Sequence, residues 1–272
     1  MQEIFKRLGE RGLKLWQLVL LITLSLFAVG VGILLASSNP LLFPTIALLG
    51  SFAVPVTYVT FFYENRQQSL LGVTDIVLSF LYGGVLGVFL ATIFLPVLIP
   101  ELSLLTLFGA AGIEEIAKIL AVGLIVRGLS HSSELNGVLV GAAVGMGFAA
   151  LESIGYSFLS FLESEGNFSS SILLTLLRAL VSPVGHGTWT AIFAGILFLE
   201  STPFDFQLTA RVFGAFLLVT VLHGLWNGIP FLLPTSLFGI ILAELAIAGI
   251  GFFVLYQVWQ DAKRRQKPFD QL

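Results

Sequence analysis

Residues 15–36 contain no charged side chain, and charge-free windows of about 18 residues or more recur along the chain. A helix needs about 20 apolar residues to cross about 30 Å of hydrocarbon. Inside a bilayer each backbone N–H and C=O must also find its partner within the protein. Repeated runs of this kind leave one fold class, an all-α integral membrane protein. The composition agrees: of 272 residues, 57% are hydrophobic and 11% charged, whereas a soluble domain is about 25% charged. The net charge of −3 says little, and the absence of cysteine removes disulfide and thiolate chemistry.

Hydropathy predicts eight transmembrane helices, at 15–36, 41–62, 75–97, 103–126, 137–161, 171–199, 209–229 and 236–258. The connections are short and carry turn signals, such as Ser37-Ser38-Asn39-Pro40. The first run is too long for the apolar core of a signal peptide and reads as a retained span. The predicted organisation is therefore a cytoplasmic segment over 1–14, a membrane domain over 15–258 with its motif-bearing core at 103–229, and a basic tail over 259–272. Ile4, Phe5 and Leu8 would give the first segment an apolar side at the membrane interface. Of the 13 Lys and Arg residues, only Lys118 and Arg178 fall well inside spans. With an even span count the rest share the side of both termini, and the opposite loops hold only Glu101, Glu163 and Glu165. The positive-inside rule places that side in the cytoplasm of a cell membrane. The tail residues Lys263, Arg264, Arg265 and Lys267 suit contact with anionic lipid and are too few to suggest nucleic acid.

Against this background the charges inside spans stand out. Glu114 and Glu115 lie mid-span in SLLTLFGAAGIEEIAKILAVGLIV, with Lys118 one turn later. Each costs roughly 2.5–3.5 kcal/mol to insert at a helix centre, so the default reading is a functional site. Glu114 is about 12 residues into its span, or roughly 18 Å at about 1.5 Å per residue. Glu152 and His223 reach similar depth on two other helices, as does His186 once Pro183 breaks the sixth. The prediction is one polar site at the bilayer midplane. Lys118 can reach either glutamate at i,i+3 or i,i+4. His223 and Asn227 share a face at i,i+4, as do Glu152 and Tyr156. Arg178 is expected to neutralise Glu115 or Glu152. Gly137, Gly141 and Gly145 recur every fourth residue and would let a neighbouring helix approach closely. Asp75 reads as a cap of the third span, Glu244 has no motif around it, and His131 lies in a polar loop.

Three chemistries use such a set. A glutamate can take a proton from water while a histidine or amide steadies an oxyanion. His186, His223 and Glu152 can hold zinc, with another glutamate as base. A proton- or ion-coupled transporter also places carboxylates and histidines in the membrane. However, no internal repeat relates the two halves, and Pro183 has no counterpart in the first.

The ordered motifs Glu114-Glu115-x-x-Lys118, Phe148-x-x-x-Glu152, Gly185-His186 and His223-x-x-x-Asn227 resemble the PrsW family of intramembrane proteases, which is related to the CAAX prenyl proteases. The likeness runs from about Phe108 to Gly228. It implies an endopeptidase cutting a membrane-anchored protein, of which an anti-sigma factor is the family's example. It further implies that Glu114 activates water and that His223 and Asn227 form the oxyanion site. Glu115 and His186 would complete the catalytic set, with Lys118, Glu152, Tyr156 and Arg178 supporting it. Two positions depart from the CAAX pattern: Lys118 replaces an arginine and Glu152 a histidine. That argues against a prenylated substrate and leaves His186 as the substitute partner for the water. The family is often labelled as metalloproteases, so zinc stays open beside a metal-free site.

Overall fold

The computed structural model describes residues 12–66, 69, 71–101, 103–126, 133–202 and 205–265. Helices make up nearly all of these residues, and no strand occurs among them. Seven helical segments are long and apolar enough to cross a membrane: Leu15–Ser37, Pro40–Glu64, Val73–Leu98, Glu134–Glu163, Phe168–Glu200, Ala210–Leu232 and Leu237–Arg265. An eighth helix, Leu104–Ile125, has 22 residues and differs by carrying Glu114, Glu115 and Lys118. The chain is a multi-pass membrane protein, and the eight predicted spans match these segments one for one.

We number the helices α1 (Leu15–Ser37), α2 (Phe43–Glu64), α3 (Val73–Leu98, with a π-helical turn at Ser79–Gly83), α4 (Leu104–Ile125) and α5 (Glu134–Glu163). They are followed by α6 (Phe168–Val181), α7 (Thr188–Glu200), α8 (Ala210–Leu232) and α9 (Leu237–Arg265). Several helices outrun their apolar stretches. The clearest is α9, which continues through its basic end. There Arg265 Nε is 3.7 Å from Glu134 Oε2, and Lys263 Nζ sits 4.8 Å above the Trp259 ring. The interfacial segment expected before Gly12, Arg127, His131 and Lys267 lie outside the described residues.

The chain divides into two compact units, Met1–Gln67 with Ala149–Pro183, and Gln68–Phe148 with Val184–Leu272. In the first, α2 packs against α1 and α6. The N-terminus of α1 is closed by Glu64, whose carboxylate accepts from the Leu15 N–H at 2.8 Å and the Trp16 N–H at 3.2 Å. These are donors that the helix itself cannot satisfy, and they carry the positive end of its dipole. Phe43 stacks on Phe161 at 4.6 Å, and Phe161 on Phe168 at 5.2 Å.

The second unit is built around the first half of α5, which is buried at every position from Gly137 to Phe148. Its small residues allow this. A Cβ added at Gly137, Gly141 or Gly145 would strike the backbone carbonyl of Ala194, Thr190 or His186 respectively. The predicted every-fourth glycine pattern is thus a ladder against α7, matched rung for rung. On the opposite face Gly147 meets the Phe80 carbonyl in the π-helical turn of α3. The helix α4 packs between α3 and α8, and α7 contacts α8 and α9.

Local signals set the helix starts. Ser103 caps α4 by accepting the Thr106 N–H at 3.2 Å, and its own N–H donates to Thr106 Oγ1 at 2.6 Å. Asp75, read from the sequence as the cap of the third span, instead lies at the third helical position of α3, where it accepts the N–H of the N-cap Gly72 at 2.8 Å. Pro183 breaks the sixth span as predicted: Pro183–Gly187 forms a π-type turn with Gly185 at φ −93°, ψ −112°.

The ladder gives a direct test. Gly145→Ala forces its methyl against the His186 carbonyl. Overpacking of this kind costs about 1–3 kcal/mol. Thermal unfolding in detergent should show that loss, together with reduced activity, because the displaced carbonyl carries a site residue.

Candidate active site

The second unit brings together Glu114, Glu115 and Lys118 from α4, His186 from the turn before α7, and His223 from α8. Helical spacing places Lys118 over both glutamates, but the two pairings are unequal. Lys118 Nζ is 2.6 Å from Glu115 Oε1 and 3.8 Å from Glu114 Oε2. Glu115 Oε1 also lies 2.9 Å from His223 Nδ1. Glu115 and Lys118 are wholly buried, and His223 is 2% exposed. One carboxylate oxygen thus binds an ammonium and an imidazole, which is how buried charge becomes tolerable.

Lys118 has a second partner. Its Nζ is 2.8 Å from His186 Nδ1 and stands 4.4 Å above the Phe148 ring, a cation–π contact. Phe148 also faces the His186 ring at 5.1 Å. The two imidazoles meet edge to face at 5.0 Å. Trp189 stacks on His223 at 4.6 Å with an interplanar angle of 29° and so fixes the plane of that ring. Sequence reasoning missed Trp189. Its signal was present: a tryptophan one turn beyond His186, far from the interfacial belts where membrane tryptophans gather.

Glu114 is placed differently. Its Oε2 is 3.7 Å from His223 Nε2 and 3.8 Å from Lys118 Nζ, beyond direct hydrogen bonds to either. Its side chain keeps 11% exposure where that of Glu115 keeps none. Separations of this size suit an intervening water.

The remaining predicted residues are placed as follows. Asn227 lies one turn beyond His223 on α8, half-buried, with no side-chain hydrogen bond among the described residues. Glu152, Tyr156 and Arg178 belong to the first unit. Arg178 Nη2 donates to Glu152 Oε2 at 2.8 Å and Nε to Ser153 Oγ at 3.3 Å, with the guanidinium 4.0 Å over the Tyr156 ring. Of the two partners expected for Arg178, the structure supplies Glu152. Glu244 sits half-exposed on α9.

Glu114, His186 and His223 each offer one ligand atom, all within 4.8 Å of one another, and form a candidate metal group. The carboxylate grouped with the histidines is thus Glu114, where the sequence suggested Glu152. The donor chemistry fits at two of the three positions. The Nδ1–H of His223 is held by a carboxylate, the usual outer contact of a metal-binding histidine, which leaves Nε2 as a lone pair beside Glu114. His186 does not fit while Lys118 is in place. An ammonium has donors only, so His186 Nδ1 accepts from it and the neutral ring keeps its proton on Nε2. Neither nitrogen then offers a free lone pair. Catalytic zinc typically takes three protein ligands, and this donor set provides two.

Comparison with known proteins adds one finding. A family model described as PrsW family intramembrane metalloprotease matches residues 72–259. No curated protein and no solved structure matches the chain.

Proposed function

We propose a reaction for a chain that belongs to the PrsW family of intramembrane metalloproteases, and is therefore a multi-pass membrane peptidase whose substrate is itself embedded in the bilayer. The reaction is hydrolysis of a peptide bond by water that Glu114 activates. One observation carries this reading: the Glu114 side chain keeps 11% exposure and stands off from Lys118 and His223, whereas Glu115 is sealed against both.

The steps balance without a co-reactant. A water near Glu114 gives its proton to the carboxylate as its oxygen bonds to the substrate carbonyl carbon. The carbonyl electron pair moves onto oxygen, where N–H donors of the site stabilise the charge. When the C–N bond breaks, Glu114 returns the proton to the leaving amine. His186, His223 and Asn227 complete the polar set around the reacting groups. Glu115 and Lys118 support them, as the Glu152–Arg178 pair with Tyr156 supports its own unit. The family description implies a metal, and zinc is the ion first expected for such donors. Because the donor set disagrees at His186, the steps above use protein groups alone.

The substrate class we propose is a membrane-anchored protein such as an anti-sigma factor. The protein itself is placed in the cell membrane with both termini cytoplasmic, a reading supported by the one-sided distribution of Lys and Arg. Residues 1–14 and 259–272 flank the membrane domain on that side. Comparative membrane proteomics of cells carrying the wild type or Glu114→Gln tests the reading. A membrane-anchored protein shortened only by the wild type supports it, and identical profiles under inducing conditions sink it.

A further inference from the structure

We infer that the buried Glu115–Lys118 pair is a tautomer lock. It holds His186 with its proton on Nε2 and His223 with its proton on Nδ1, so His186 is the donor to the oxyanion and His223 an acceptor beside the water. This assignment rests on the proposed hydrolysis and reverses the role expected for His223 from family resemblance.

Donors and acceptors fix both rings. Lys118 Nζ has three N–H groups and no acceptor. The 2.6 Å contact to Glu115 and the aromatic face of Phe148 both favour its charged form. The 2.8 Å contact to His186 Nδ1 is therefore a bond that the imidazole accepts. A neutral imidazole accepting at Nδ1 carries its hydrogen on Nε2. The other histidine is fixed in the opposite sense. Glu115 Oε1 is an acceptor, so His223 Nδ1 donates across 2.9 Å and Nε2 keeps a lone pair. That lone pair lies 3.7 Å from Glu114 Oε2. Two acceptors at this separation can share the two hydrogens of one water, which orients its oxygen lone pair for attack. A group that accepts from water cannot at the same moment donate to an oxyanion. The N–H on His186 fills that role, with the ring held by Lys118 on one side and by Phe148 on its face. Glu115 and Lys118 are thus positioning residues: they touch neither water nor substrate and act through the rings they hold.

The test reads the tautomers directly. The sequence contains three histidines, so wild-type protein labelled with 15N-histidine in nanodiscs gives few ring signals. Protonated and unprotonated ring nitrogens differ widely in 15N shift. The expected spectrum has one neutral ring protonated on Nε2, lost in His186→Gln, and one protonated on Nδ1, lost in His223→Gln. Finding both rings in the same tautomer, or His186 doubly protonated, overturns the lock. In Lys118→Met the His186 signal should shift toward a mixture of tautomers, and Zn2+ affinity measured by equilibrium dialysis should rise at least about tenfold as His186 regains a lone pair. Zinc binding as tight in the wild type as in that variant overturns it as well. The spectrum reports the tautomers whether or not anything is cleaved, and the proteomic comparison reports cleavage whatever the tautomers. Failure of this inference is therefore distinguishable from failure of the proposed function.

Discussion

Glu114→Gln is expected to lower the cleavage rate constant by about 10³-fold, within the range of about 10²–10⁴ that a positioned base contributes. Such a loss corresponds to about 4 kcal/mol of transition-state stabilisation. The amide keeps the shape of the carboxyl but cannot take a proton from water. Glu114 stands 3.8 Å from Lys118 and 3.7 Å from His223, farther from both than Glu115 does. The variant should therefore insert and fold, with a melting temperature close to that of the wild type. Single-turnover cleavage in proteoliposomes measures the rate, and a thermal scan on the same preparation measures the fold. A folded variant that cleaves at the wild-type rate would remove Glu114 from the role of base.

Glu115→Leu should have the opposite profile, with loss of structure coming first. Glu115 Oε1 is the acceptor shared by Lys118 and His223, and all three residues are buried. Removing it strands an ammonium in an apolar interior, a change that costs about 3–5 kcal/mol when one partner of a buried pair is deleted. The second substitution is informative. Glu115→Leu combined with Lys118→Met removes both charges and should recover much of the stability, but none of the activity, because His186 and His223 then lose their fixed protons. Unfolding in graded denaturing detergent, measured as a double-mutant cycle, separates these effects. A double variant no more stable than Glu115→Leu alone would mean that the pair is not coupled as the distances indicate.

Much of this arrangement was legible in the chain. Eight apolar runs gave eight helices because hydrocarbon thickness and backbone hydrogen bonding together permit little else. Helical spacing put Lys118 within reach of both glutamates, and the break at Pro183 followed from a missing N–H. Contacts between distant segments were not legible. Lys118 meets His186 across 68 positions of sequence, and His223 meets Glu115 across 108. Spacing rules reach only one or two turns. For that reason the sequence could rank Glu114 and Glu115 by analogy but could not see which was sealed. Depth alone likewise offered Glu152 as a ligand beside the histidines, because it shows how far along the membrane normal a residue lies and not which partner its side chain takes. In the structure its carboxylate is engaged by Arg178. The carboxylate that closes α1 shows the same limit, since Glu64 reaches Leu15 across 49 positions.

The glycine ladder between α5 and α7 has a consequence for folding. Its rungs repeat every four residues on both helices, Gly137, Gly141 and Gly145 against Ala194, Thr190 and His186. A slip of one rung would preserve close backbone approach at two of the three contacts while carrying His186 about 6 Å along the membrane normal. Close packing by itself therefore permits two nearly equivalent alignments, and only one of them brings the imidazole to Lys118. The polar cluster chooses between them. On this view the site acts as a registration mark for the helices that carry it, and variants that silence its charges should populate a misaligned but well-packed form.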